Sequence, residues 1–201
     1  MALNKEAVVD EALKLLNEVG IEGVSLRALA NKLGVKAPTL YWHVKNKAAL
    51  NNEMAERILQ PVFRNLRHRG VEQPWQEWLI HVFNQLRQAL LAYTDGARVV
   101  AGAHFSSVMS DVMEAAIRTL LTAGVSLRES RLITLTATHF TFGHVIEEQT
   151  PPDPEMANDF EIERFRKDHP TIIAGIEEYF NSGRTANDLF NDGLRLIIEG
   201  R

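Results

Sequence analysis

Cysteine is absent from this chain of 201 residues. Its absence excludes disulfides, thiolate nucleophiles and cysteine-ligated zinc, and suits a reducing compartment. No stretch reaches the roughly 18 uninterrupted apolar residues that a membrane-spanning helix requires. The opening residues Met1-Ala2-Leu3-Asn4-Lys5-Glu6 carry charge early and form no signal-like apolar segment. A cytoplasmic protein is therefore expected. Strand-like alternation, internal repeats and low-complexity tracts are missing too. There is no phosphate-cradling glycine loop and no Gly-x-Ser-x-Gly elbow, and Glu147-Glu148 would point two ways on a helix. An enzyme is not expected, nor a catalytic residue, a cofactor or a metal ligand set.

What is present is apolar enough to fold. The hydrophobic fraction is 45%, ordinary for a globular protein with a substantial core. The formal net charge of −4 is unevenly spread. Between Glu22 and Glu53 no acid occurs, whereas Arg27, Lys32, Lys36, Lys45 and Lys47 do. A cationic segment is thus attached to an acidic body.

The periodicity is helical throughout, so an all-α fold is expected. Val8, Val9, Ala12, Leu13, Leu15 and Leu16 recur at helical spacing in a first helix over 5–19, stopped by Gly20. Ser25 is placed to cap a short second helix carrying Leu26, Leu29, Ala30 and Leu33, which Gly34 ends. Pro38 stands in the first turn of a third, reaching about His43. Asn46 caps a fourth over 47–68, with Pro61 as a kink or interruption. Further helices are expected over 75–93, 97–103, 107–123 and 127–148. The prolines at 151, 152 and 154 mark a loop. A helical stretch over 160–180 and a last helix over 185–199 complete the chain.

Two short helices joined by a glycine turn form a helix-turn-helix. Ala30 is small enough for close approach, Gly34 permits a left-handed turn, and Val35 and Leu40 pin the second helix to the first. The face left over carries Lys36, Thr39, Tyr41, His43, Lys45 and Lys47, groups that reach phosphates or base edges. Arg27 can address a guanine edge. Trp42, beside Tyr41, is expected to turn inward as core packing.

The segments Ala12-Leu13-Lys14-Leu15-Leu16-Asn17-Glu18-Val19-Gly20-Ile21-Glu22-Gly23, Leu29-Ala30-Asn31-Lys32-Leu33-Gly34-Val35 and Pro38-Thr39-Leu40-Tyr41-Trp42-His43-Val44-Lys45-Asn46-Lys47 closely resemble the tetracycline repressor family. That resemblance implies a homodimer whose two heads enter successive major grooves of a palindromic operator. It implies DNA contacts at Arg27, Pro38, Thr39, Tyr41, His43 and Lys47, to which the charge pattern adds Lys36 and Lys45. Leu26 and Ala37 depart from the family's threonine and base-reading glutamine, so a different operator is expected. The expected division is a DNA-binding domain over 1–47, a connecting helix over 48–68, and a ligand-binding and dimerisation domain over 69–201.

The resemblance continues through Trp75-Gln76, Ala89-Leu90-Leu91, Asp95-Gly96-Ala97 and the run His139 to Glu147. The magnesium–drug ligands of the tetracycline repressors are not matched. Val100 and Ala103 occupy the metal-side positions, and Phe63, Val82, Leu86 and Ala116 occupy the drug-contacting ones. His104-Phe105 replaces an arginine–proline pair. Valine and alanine cannot build a hard oxygen-rich magnesium site. The expected pocket is mostly apolar, lined by Phe63, Val82, Leu86, Val100, Ala103, His104, Phe105, Met113 and Ala116, with His104, His139 and Glu147 as polar anchors. Such a pocket suits a hydrophobic or aromatic effector. A tetracycline–magnesium-responsive repressor of an efflux gene is the alternative. A metal site from His139, His144 and Glu147 lacks a ligand from another element. By resemblance, the helices over 127–148 and 185–199 pair with their mates in a four-helix bundle.

Overall fold

The computed structural model describes residues 3–64, 66, 69–70, 72–150 and 161–200. Among them every regular element is a helix. The head comprises α1 (Lys5–Gly23), α2 (Leu26–Leu33) and α3 (Ala37–Tyr41). The connecting helix α4 (Lys47–Phe63) leads to α5 (Trp75–Leu91), α6 (Gly96–Ala101), α7 (Ser107–Thr122), α8 (Leu127–Glu148), α9 (Ile162–Asp168), α10 (Pro170–Asn181) and α11 (Ala186–Glu199).

Helix starts follow local capping chemistry. The side chains of Asn4, Ser25, Asn46, Ser106, Ser126 and Thr185 each accept the backbone N–H three residues on, satisfying a donor that lacks an intrahelical partner. At Gly20 the backbone turns to φ 68°, interrupting α1, and a last turn carries it on to Gly23. Pro61 lies inside α4, which continues only to Phe63 rather than 68. Proline removes one helical donor and crowds the preceding turn, so the helix weakens there. Residues 65, 67 and 68 of the expected helix, and the proline loop with Phe160, lie outside the described residues. The stretch expected over 160–180 is divided at His169 into α9 and α10, because Pro170 opens a new helix.

The core of the body is centred on α5, whose Trp78, Leu79, Val82, Phe83, Leu86 and Leu90 are buried. It packs against α4, α8 and α11. The head closes on its own apolar set, Val8, Leu16, Leu29, Leu40 and Val44, and joins the body through α4. No helix among the described residues is long and apolar enough to cross a membrane.

Candidate functional site

The reading head is built from its turn. Gly34 adopts φ 65°, ψ 27°, and the N–H groups of Gly34 and Val35 return to the carbonyls of Asn31 (3.1 Å) and Ala30 (3.0 Å). This closes α2 and launches α3 after only Val35 and Lys36. Leu40 is fully buried and Val35 half-buried, so the two helices are locked at one face as the spacing requires.

The opposite face is open. Arg27, Lys36, Pro38, Thr39, Tyr41, Lys45 and Lys47 are exposed, and His43 is half-buried. Lys32 pairs with Glu18. Among the described residues no ion pair engages Arg27, Lys36, Lys45 or Lys47. Four positive charges therefore stand without internal compensation on one small module. Trp42 corrects the expectation of core packing: it is 89% exposed. Leu40 and Val44 already fill the inward positions, and Trp42, at the C-terminal end of α3, is left exposed as Tyr41 is.

In the body, a cavity of about 230 Å³ opens between α6, α7 and α8. Of the expected lining residues it brings together Val100, Ala103, His104, Met113 and His139. It adds Ser106, Met109 and Ser110 from the start of α7, and Leu135, Thr138 and Phe142 from α8. Those α8 residues sit at three- and four-residue steps around His139, a periodicity that could have revealed them.

The other expected residues lie elsewhere. Val82 and Leu86 of α5 and Ala116 of α7 are completely buried and border none of the described cavities. Phe63 borders a separate open cleft of about 550 Å³ between the end of α4 and α7, with Arg64, Arg69 and Arg118. Phe105 is 82% exposed. Glu147 faces solvent, while its neighbour Glu148 accepts from Arg87 Nε at 2.9 Å. The hydrogen bonds from Arg87 hold the Glu148 carboxyl below its ordinary value near 4.5. His144 lies 4.0 Å from Glu148 Oε1, not beside Glu147, so α8 does not assemble the His–Glu pairing considered from spacing.

Cavity and head share α6. At its entrance Asp95 sits in left-handed backbone (φ 54°), and its carboxylate accepts the Ile21 N–H of α1 at 2.8 Å. The Thr94 N–H donates to Asn17 Oδ1 at 2.9 Å. Arg98 donates to Glu22 at 2.7 Å, and this bond raises the guanidinium pKa further. Asn51 of α4 donates to the Val99 carbonyl at 2.9 Å. Beyond them, Val100, Ala103 and His104 wall the cavity. A second tie joins α4 to the first turn of α7: Glu56 accepts from Ser107 Oγ at 3.2 Å and from the Val108 N–H at 3.4 Å.

Residues 8–54 match the family described as bacterial regulatory proteins, tetR family, and residues 71–200 match the tetracyclin repressor-like C-terminal domain. Over 152 residues, covering 73% of this chain and 67% of the relative, the chain is 43% identical to the class D tetracycline repressor protein of Escherichia coli. The class A repressor solved with 5a,6-anhydrotetracycline and magnesium superposes with a TM-score of 0.67 at 32% identity, covering 98% of this chain and 97% of that one. BioQ solved with its double-stranded DNA operator gives a TM-score of 0.65 at 33% identity, covering 74% and 88%.

Proposed function

As this chain belongs to the tetR family of bacterial transcription regulators, we propose that it is a ligand-responsive repressor. It grips a palindromic operator as a homodimer and releases it when a small apolar effector enters the cavity between α6, α7 and α8. The observation that carries this reading is the uncompensated cationic face of the head, on which Arg27, Lys36, Thr39, Tyr41, Lys45 and Lys47 are all exposed. Lysine and arginine supply phosphate contacts, and hydroxyl and aromatic groups supply contacts to base edges. A relative in the same family has been solved on its operator, which supports transferring the binding mode.

Release follows from the ties made by α6. A ligand pressing on Val100, Ala103 and His104 shifts a helix that is bonded to α1 through Asp95 and Arg98 and to α4 through Asn51. Glu56 passes motion of the first α7 turn to α4 as well. The two heads then no longer fit their half-sites together.

A drug-sensing reading is favoured by the class A relative, solved with a tetracycline and magnesium. The cavity here argues against it: among the described residues no carboxylate lines it, and its volume of about 230 Å³ lies below the roughly 300–1,000 Å³ of drug-sized sites. Tetracycline with magnesium is therefore expected to leave operator binding unchanged.

The test is a mobility shift on a palindrome from the DNA upstream of the gene, beside a duplex with one half-site scrambled. Binding to the palindrome alone, with a sedimenting mass twice the 22.7 kDa protomer, supports the reading. Equal binding to both duplexes, or a monomer on the palindrome, contradicts it.

A further inference from the structure

The cavity between α6, α7 and α8 has an unbalanced set of polar groups. Seven of its lining residues are apolar, among them Val100, Met109, Met113, Leu135 and Phe142 with two alanines, Ala101 and Ala103. Among the described residues lining it there is no Asp, Glu, Lys or Arg. Its polar groups are three hydroxyls and the imidazoles of His104 and His139.

The helices consume most of the hydroxyl chemistry. Ser110 Oγ donates to the Ser106 carbonyl at 2.9 Å, and Thr138 Oγ1 donates to the Thr134 carbonyl at 2.8 Å. Both keep only lone pairs for a ligand. Ser106 Oγ already accepts the Met109 N–H at 3.0 Å. The two imidazoles differ: both are exposed to solvent, and among the described residues neither is engaged in a hydrogen bond or ion pair within the protein. One stands in the connection between α6 and α7, the other on α8. A neutral imidazole always offers one N–H, and a charged one offers two.

Each ligand class meets this set differently. An amine finds no anionic group on the wall to pair its charge, whereas an imidazole can serve an anion as cation as well as donor. A magnesium chelate requires oxygen ligands and finds no carboxylate. A neutral hydrocarbon would strip water from two imidazoles and give nothing in return. A carboxylate on an apolar frame satisfies both donors, and charge-assisted bonds of this kind are the stronger ones. The volume, about 230 Å³, matches one or two rings or a short chain.

We propose that the effector is a small apolar monocarboxylic acid whose carboxylate is held by His104 and His139. This rests on the effector reading above and specifies its chemistry.

The test is isothermal titration calorimetry of the full chain with 1-naphthoate, methyl 1-naphthoate and 1-naphthylmethylamine. The acid is expected to bind roughly tenfold or more tighter than the ester and the amine. In H104A/H139A the acid loses its advantage and binds no tighter than the ester does to the same variant. H104Q/H139Q, which restores two N–H donors, recovers part of the preference and stands in should the alanine pair fail to fold. No binding of 1-naphthoate, equal binding of acid and ester, tighter binding of the amine, or an acid preference that survives both replacements overturns the proposal. Operator occupancy is read separately on the palindrome. An acid that binds through the two histidines yet leaves the operator occupied contradicts the release reading and leaves the ligand class standing.

Discussion

Arg87 is buried at 6% exposure, on a helix whose other inward residues are apolar. Its fork donates to both oxygens of Glu148 and to Asn187 Oδ1 (2.8 Å), and its guanidinium carbon lies 4.9 Å from the centre of the Phe190 ring. One side chain thus ties α5 to α8 and α11, and no periodicity argument singles it out. Glu148→Gln is expected to cost about 3 kcal/mol near neutral pH, since it strands a buried cation. The folded carboxyl is held below 4.5, so its contribution is present above that value and is lost as pH falls through the lower folded pKa. Urea unfolding across pH should show the deficit of the variant narrowing below about pH 4.5. At Trp42 the expectation was inward packing, because adjacent aromatics on a helix diverge. The helix is only five residues long, however, and ends beneath the indole, so both rings stay outside. Trp42→Ala should change thermal stability by less than about 0.5 kcal/mol while weakening operator binding measured by anisotropy. A loss of several degrees with unchanged binding would restore the core assignment.

Among the elements, those with local signals were legible from sequence. Ser25, Gly34 and Asn46 mark boundaries by chemistry confined to one turn, and the structure places caps or turns at each. The break at Pro170 carried an equally local signal that the continuous apolar pattern obscured. The role of α6 was not legible. It has six residues, and its importance comes from bonds to segments about 75 residues away, such as Ile21 to Asp95 and Glu22 to Arg98. Arg98→Ala should alter stability by less than about 1 kcal/mol, because its pairs are well solvated. Its consequence is expected in coupling: the change in operator affinity caused by saturating effector should shrink several-fold. Anisotropy titrations with and without effector measure that ratio directly, and an unchanged ratio would remove α6 from the path.

At the scale of the whole molecule, the all-helical class and the family were legible because a long contiguous match around the head fixes both. The cavity was legible only in part. Five expected residues line it, whereas Val82, Leu86 and Ala116 were drawn into the core by packing among α4, α5 and α7 that no linear pattern encodes. The apolar excess of α8 and α11 also divides in two. Phe190, Leu194 and Ile198 are buried within the protomer, while Leu127, Leu132, Leu189 and Leu196 remain exposed. In the proposed homodimer those outward leucines would be covered by the second copy, and pairing would double the cationic heads presented to one duplex. The most direct measurement is the salt dependence of operator affinity for the unaltered protein and for Lys45→Ala/Lys47→Ala. Each phosphate contact contributes about one counterion to the slope of log affinity against log salt. The account predicts a steep slope that becomes shallower by about one for each lysine removed from each head. A slope near zero, or one the double variant leaves unaltered, would contradict it.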